Sequence, residues 1–526
     1  MRVIYSAFDG KMLSEIQRYI NVYVDVKPVY ILSDNAEQIN VEYSSALVHS
    51  IRNSRCGIPH EKYSKCLVGV DDDGLFSFML QYRDMALSMM GRQAETGWDF
   101  SYTERDHLFT YLISYWAMVI ADTRPNVLIS RNIPHFASEF ILFRVCEYYG
   151  VPCVTKEDVD SLNLSYLIVG LNDRSPYIGL NNLSENKESL NKYHSGLIDN
   201  FIDKNRANYS IAKPKYYIEV MGMVGRVRTK KYLLQRLLKD VVVSVLYIGK
   251  RPSVTIKRTR RPVYDTRSMQ TYLSLKLHQW KVRWMINKNE KLYDSLASAG
   301  KPDQPYVLLA VNYQPERTTM PDAGEFHDIV RLVDAISGSL PDGWLLLYKE
   351  HPSVFTYPGV FYRGHPLFYR GHLFRGEEYY RTLSKYSNLR FVDYRADIFD
   401  LIDSSEAVCS ATGTVAYQAN LRGKKAIIFG ENWFSECKAV YKYRSHKELK
   451  EFFLSENLCS DEIDKHWRGH LHTVCSIGFK TPELLKSDPD FVENNREYLK
   501  ALAELLVSIN QQDSSEKTDF LDQKVG

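Results

Sequence analysis

Three short runs in the C-terminal half combine residues that can hold a phosphate. The first, Lys349-Glu350-His351-Pro352, directly follows the apolar run Trp344–Tyr348. Lysine offers a point charge to a phosphate. Histidine can donate a hydrogen bond to a phosphoryl oxygen or protonate a leaving group, and Pro352 stiffens the exit turn. The second is Ser410-Ala411-Thr412-Gly413-Thr414, which leads into Val415–Leu421. Small hydroxyl residues and Gly413 at a helix start leave backbone amides and the positive end of the helix dipole open to an anion. Ser410, Thr412 and Thr414 can add hydroxyl donors. The third is the polar stretch Asn312–Thr319 after the run Tyr306–Val311, where Gln314 can touch a base or sugar and Arg317 a phosphate. Each run also has a plain structural reading: a surface histidine in a turn, a Ser/Thr helix cap, a proline turn. Between His351 and Ser410 there is room for one βα unit, so both can face one ligand.

The N-terminal half offers two further candidates. Asp71-Asp72-Asp73-Gly74 clusters carboxylates beside a glycine. Asp72 or Asp73 can serve as general base on an acceptor hydroxyl, or the run is an exposed turn. Arg131-Asn132-Ile133-Pro134-His135 follows a short apolar run, with Glu139 one helical turn on. Asn132 and His135 can contact an acceptor there, or the segment is a capped helix start.

Alternating strands and helices must position these groups. Residues 1–179 read as strands at Val3–Tyr5, Val29–Leu32, Asn126–Ile129, Val151–Val154 and Tyr166–Val169, with helices at Leu108–Ala121 and Phe136–Tyr149. Such alternation predicts a parallel sheet covered by helices, and ligands in such sheets bind at the carboxyl ends of the strands. Residues 180–300 change to a helical, basic segment that includes Lys250-Arg251 and Lys257-Arg258-Thr259-Arg260-Arg261. Within it, Tyr272–Ile286 interleaves aromatics, leucines and cations. This middle segment reads either as a peripheral contact with a membrane surface or polyanion, or as a solvated inter-domain helix. Residues 301–455 resume the alternation as a second α/β domain. Residues 456–510 read as C-terminal helices, with Phe491–Ile509 amphipathic, and 511–526 as a polar, disordered tail. The doublet Phe361–His365 and Phe368–His372 is a local duplication.

Bulk properties narrow the classes. A chain of 526 residues predicts two or three domains at about 100–200 residues each. Its 67 Lys and Arg against 64 Asp and Glu argue against a dedicated nucleic-acid binder. Eight scattered cysteines without C-x-x-C predict neither a disulfide framework nor a zinc site, and no metal is expected. The start does not read as a signal peptide. The longest apolar run, Val241–Ile248, is far below the ~20 residues that span a bilayer. The expected compartment is the cytoplasm, with the inner face of the membrane as a peripheral location. P-loop, dinucleotide-binding, H-E-x-x-H and G-x-S-x-G motifs are absent from the sequence.

The order Tyr313-Gln314-Pro315-Glu316, Lys349-Glu350-His351-Pro352, Ser410–Thr414, then Gly423–Gly430 resembles the capsule polysaccharide biosynthesis family, which includes Kdo transferases. The His-Pro and Ser/Thr elements also resemble those of bacterial sialyltransferases. The resemblance implies an α/β GT-B fold, two Rossmann-like domains facing a cleft, with the basic helical middle segment and a C-terminal helix added. It further implies a glycosyltransferase that moves a sugar, Kdo or another CMP-activated acidic sugar, to a growing bacterial surface polysaccharide. Donor contacts would come from Gln314, Glu316, Arg317, Lys349, His351, Pro352, Ser410, Thr412, Gly413, Thr414 and Gln418. The N-terminal base would be Asp72 or Asp73. The implied partners are a nucleotide sugar and a glycan or lipid-linked glycan, with no further cofactor. One departure stands out: Gln418-Ala419 occupies the place where many GT-B enzymes carry Glu-Ala, the Glu on the donor ribose. Rival readings are a CDP-polyol phosphate transferase of teichoic-acid type, a GT-B sugar epimerase, and a non-catalytic GT-B scaffold.

Overall fold

The computed structural model describes all residues except 34, 37–38, 40–42, 44, 65–71, 92–100, 173, 175–186, 208–229, 247–271, 299, 357–360, 363–364, 367–370, 483–489 and 517–526. Asp71, the basic clusters at 250–251 and 257–261, most of the second copy of the 361–372 doublet and the end of the tail lie outside the described residues.

Two seven-stranded sheets organise the chain. The first contains β1 (Arg2–Ser6), β2 (Lys27–Ser33), β3 (Leu47–Ser50), β4 (Val127–Ser130), β5 (Cys153–Val159) and β6 (Leu164–Val169). The second contains β7 (Ala297–Ser298), β8 (Tyr306–Ala310), β9 (Leu345–Lys349), β12 (Leu389–Val392), β13 (Ala407–Ser410), β14 (Lys425–Ile428) and β15 (Tyr441–Lys442). A two-stranded hairpin, β10 (Phe361–Tyr362) with β11 (His365–Pro366), stands apart. The last strand, β16 (Phe479–Lys480), returns to the edge of the first sheet beside β6.

The first sheet has the order β16-β6-β5-β4-β1-β2-β3 and the second β15-β14-β13-β8-β9-β12-β7. All pairings in the second sheet are parallel, whereas β5–β6 and β6–β16 in the first are antiparallel. In both sheets the chain runs outward from one central strand and then returns to that strand's other side. The first therefore has a topological switch point between β1 and β4, and the second between β8 and β13. These are the crevices where open α/β sheets take ligands. The central strands β4, β13 and β14 are buried along their whole length, as strands covered on both faces must be. This is the doubled Rossmann-like architecture of the GT-B fold.

The segment boundaries differ from the composition shifts. Val282, Ile286 and Tyr293 of the helix Tyr272–Leu296 are buried in the second domain's core, and β7 pairs with β12. The second domain therefore begins inside the basic middle segment. Residues after 478 return to the first domain, where the helix Arg496–Glu516 packs on the helix Gly10–Ile20.

The two domains meet through an apolar cluster and an ionic one. Tyr417 and Trp433 of the second domain pack on Phe201 with ring centroids 5.3 and 5.9 Å away. Arg174 donates to Glu157 at 3.1 Å and to Asp322 at 2.7 Å, and Arg317 pairs with the same two carboxylates at 3.2 and 3.1 Å. Buried charges survive only when paired, and here each arginine bridges a carboxylate from either domain. Among the described residues, no helix is long and apolar enough to cross a membrane.

Candidate functional site

The switch point of the second sheet is lined by the ends of β8 and β13, and its hydroxyls are largely committed. Ser410, fully buried, donates to Ala310 O or Asn312 Oδ1, each at 3.1 Å, and accepts from the Gly413 amide at 3.1 Å. Thr412, also buried, donates to Thr318 O at 2.5 Å. A Cβ at Gly413 would lie 2.5 Å from Ser410 Oγ, so this approach needs glycine. Thr414 alone of the three hydroxyl residues is exposed, at the start of the helix Val415–Leu421. The expectation that Ser410 and Thr412 offer free donors is thus corrected: both hydroxyls tie the β13 turn to the β8 loop. Gln418 is buried one turn into that helix.

His351 is half-buried at the carboxyl end of β9. Its Nδ1 lies 3.2 Å from the Ser353 amide. A backbone N–H can only donate, so Nδ1 is the acceptor and the proton of the neutral ring sits on Nε2. Burial, then the cations Lys349 and Arg375, lower its pKa to about 3. The ring is therefore a neutral hydrogen-bond donor across the physiological range. Pro352 opens the short helical turn that follows. Lys349 does not share this role. It is buried and donates to Tyr394 O at 2.6 Å, toward β12 and away from β13.

Beneath His351 lies a buried ionic network that sequence reasoning did not find. Glu350 Oε2 accepts from Tyr348 at 2.8 Å, Tyr380 at 3.0 Å and Arg375 Nε at 3.1 Å, and Oε1 from the His351 amide at 2.9 Å. Arg375 also donates to Gln314 Oε1, and Gln314 Nε2 donates to His327 O. Gln314 is thus spent inside the domain, and Arg317, expected at a phosphate, is spent on Glu157 and Asp322. Glu316 accepts from Thr318 at 3.3 Å within the same loop.

That loop, 312–328, walls a second space. A cavity of about 1060 Å³ opens between the domains, lined by Tyr82, Arg105, Phe140 and Arg144 of the first and by Gln314, His327, Arg331 and Arg375 of the second, among others. His327 Nδ1 lies 3.0 Å from Gly324 O. A carbonyl can only accept, so Nδ1 carries the proton and Nε2 the lone pair. Burial lowers the His327 pKa, outweighing the Gly324 hydrogen bond and the opposing pull of Asp328 and Asp84. His351, after β9, and His327, near the end of this loop, hold opposite tautomers: His351 a donor at Nε2, His327 an acceptor at Nε2. His327 has no motif around it, which is why spacing alone passed over it.

The N-terminal candidates are not brought to the cavity. Asp72 caps the helix Asp73–Leu80 through Leu75 N at 2.8 Å and accepts from the hydroxyls of Tyr148 and Tyr149, each at 3.1 Å. These tyrosines stand at the C-terminal end of the helix Ala137–Tyr148, beyond Arg144, and neither they nor Asp72 line the cavity. Asp73 is exposed in the first turn of its helix. Asn132 and His135 are exposed at the β4 end, on the first sheet's switch point. There sequence reasoning missed Asp9, which is buried and caps the helix Gly10–Ile20 while its Oδ2 has no partner. Among the described residues no cluster of His, Cys, Asp and Glu could hold a metal ion.

No protein-family model matches the chain, and no curated protein matches it. Solved structures do. The Thermosulfurimonas dismutans KpsC β-Kdo 2,7-transferase is 10% identical over 45% of this chain and 68% of its own, with a TM-score of 0.21. The wall teichoic acid polymerase TagF is 12% identical over 44% and 50%, with a TM-score of 0.20. The UDP-GlcNAc 2-epimerase of Neisseria meningitidis is 11% identical over 96% and 100%, with a TM-score of 0.19. Overlaps this slight leave the fold resting on the strand order and connections of the two sheets.

Proposed function

We propose that the protein is a GT-B glycosyltransferase that moves a sugar from a nucleotide donor, expected to be CMP-linked, to a surface polysaccharide or its lipid-linked precursor. The observation that carries this reading is the interdomain cavity, lined by His327 with its Nε2 lone pair and by Arg375, the partner of Glu350 beside His351. The donor phosphate lies at the carboxyl ends of β9 and β13, where His351 Nε2–H and the exposed Thr414 can meet it. The acceptor enters the interdomain cavity, whose volume of about 1060 Å³ lies just above the range for small-ligand pockets, about 300–1,000 Å³. Tyr102, an exposed aromatic in its lining, offers a surface to a sugar ring.

In an inverting transfer, the acceptor hydroxyl gives its proton to His327 Nε2 as its oxygen bonds the anomeric carbon. The bond from that carbon to the donor phosphate breaks, and the phosphate leaves with the electron pair. His351 Nε2–H stabilises the charge that develops on it. Geometry does most of the remaining work by holding the two substrates together. His327 takes the place expected for Asp72 or Asp73, because Asp72 is bound to two tyrosines and a helix start away from the cavity.

The test is a thermal-shift titration of the purified chain with CMP, CDP, UDP and GDP, repeated with His351→Ala. A nucleotide at a hundred times its Kd should add roughly 2.7 kcal/mol of stability. A shift with CMP that disappears in the variant supports the reading, and turnover of His351→Ala should fall about tenfold or more. No shift with any nucleotide would sink the transferase reading. An acceptor that gains a phosphate-bearing polyol instead of a sugar, by product mass, would reassign the chemistry.

A further inference from the structure

The helix Lys230–Leu246 is built the wrong way round for a soluble surface. Leu234, Leu237, Leu238, Val241, Val242, Val245 and Leu246 are exposed, by 43% to 67%. Their spacing is that of one continuous helical face. The charged pair Arg236 and Asp240, 3.2 Å apart, lies on the opposite side, with Asp240 buried. Seven of the 17 large hydrophobic side chains exposed among the described residues stand on this one helix. The helix Tyr272–Leu296, against which it packs, exposes Leu277 and Trp284 as well. Contiguous apolar surface of this kind marks an interaction site.

The charge around the face selects the occupant. Lys231 and Lys239 are exposed on the same helix. In sequence, residues 226–261 carry Arg226, Arg228, Lys230, Lys231, Arg236, Lys239, Lys250, Arg251, Lys257, Arg258, Arg260 and Arg261 against one acid, Asp240. The whole chain has a net charge of only +3, so this stretch of sequence is far more basic than the rest. A second copy of this chain fits poorly, because a two-fold contact sets each patch against itself and would oppose lysine to lysine. An anionic lipid surface satisfies both features: acyl chains take the apolar face and headgroups the lysines. The helix has 17 residues, about 26 Å in length, and is not apolar enough all round to cross a bilayer. It lies in the interface plane instead.

We propose that the helix Lys230–Leu246 docks the protein on anionic membranes through its exposed Leu/Val face. The docking stands on this face alone and is independent of the transferase reading. The test is co-sedimentation of the full chain with vesicles of phosphatidylethanolamine and phosphatidylglycerol, against phosphatidylcholine vesicles, for wild type and a Leu238→Glu, Val241→Glu, Val245→Glu triple variant. Wild type should bind the anionic vesicles, and the variant should bind about tenfold less or weaker. Its melting temperature and nucleotide response should be unchanged, because the three residues are exposed. Vesicle addition should slow hydrogen exchange across 230–246 in wild type alone. The idea is overturned if wild type binds neither vesicle, binds both equally, or matches the variant. It is equally overturned if light scattering shows a wild-type dimer that the variant dissolves.

Discussion

Replacing Arg375 with methionine should destabilise the second domain by about 3–5 kcal/mol, the cost of breaking a buried ion pair from one side. The guanidinium and its partner Glu350 are 1% and 0% exposed. Methionine fills much of the space but leaves the Glu350 carboxylate with two tyrosine hydroxyls and one amide, and no cation. It also leaves Gln314 Oε1 without its donor. Urea unfolding of wild type and Arg375→Met measures the loss. Adding Glu350→Gln to Arg375→Met should recover a large part of it, because the amide carries no charge to strand. A loss below about 1 kcal/mol would mean that the pair behaves like a surface salt bridge and that the network does not hold the site. A functional consequence follows from position. Glu350 fixes the His351 amide and Gln314 fixes the His327 carbonyl, so Arg375 is a positioning residue for both histidines, and nucleotide binding and turnover should weaken together.

The sequence made the architecture legible because strands buried on both faces are written as short, unbroken apolar runs. Tyr306–Ala310 and Leu345–Lys349 fall where hydrophobic pattern placed them. The strand ends therefore told where candidate ligand groups emerge. What spacing does not encode is which way a polar side chain turns once it emerges. Lys349, Gln314 and Arg317 have the right chemistry for a phosphate, but each meets a stronger claim inside the fold: a carbonyl of the next strand, a buried arginine, and a pair of carboxylates across the domain interface. Asp72 shows the same competition. A carboxylate before a glycine and an apolar run is also a helix cap, and two consecutive tyrosines 76 and 77 positions away complete its coordination.

The middle segment shows a different blindness. Its cations and aromatics at 272–286 drew attention in the sequence, yet Val282 and Ile286 there belong to the core of the second domain. The exposed apolar face lies on the preceding helix, whose apolar run from Val241 stands out in the sequence only as too short to span a bilayer. Only the packing partner tells which face of an amphipathic helix is turned inward, and here the paired Arg236 and Asp240 are the inward ones.

The largest kinetic effect should come from His327, which no motif marks. Alanine there removes the Nε2 lone pair that the proposed transfer uses, and general-base contributions run at about 10²–10⁴-fold. Turnover should fall by that order while the thermal shift with nucleotide persists, since the donor phosphate is assigned to His351. This separates the two histidines: His351→Ala loses nucleotide response, and His327→Ala keeps it and loses chemistry. The pH profile adds a second readout. Burial lowers the His327 pKa below the ordinary value of 6.5, so the ring is neutral and competent at pH 7, and activity should fall only as acid protonates Nε2. That acid limb should vanish in the residual rate of His327→Ala. His327→Asn keeps a side-chain amide to reach Gly324 O but provides no comparable base. If the role were merely to brace the turn at Gly324, asparagine would restore activity; as a base, it would not. Turnover of His327→Ala within about twofold of wild type would remove His327 from the mechanism and return the search for a base to the first domain, where Asp9 stands at the switch point with one carboxylate oxygen unpaired.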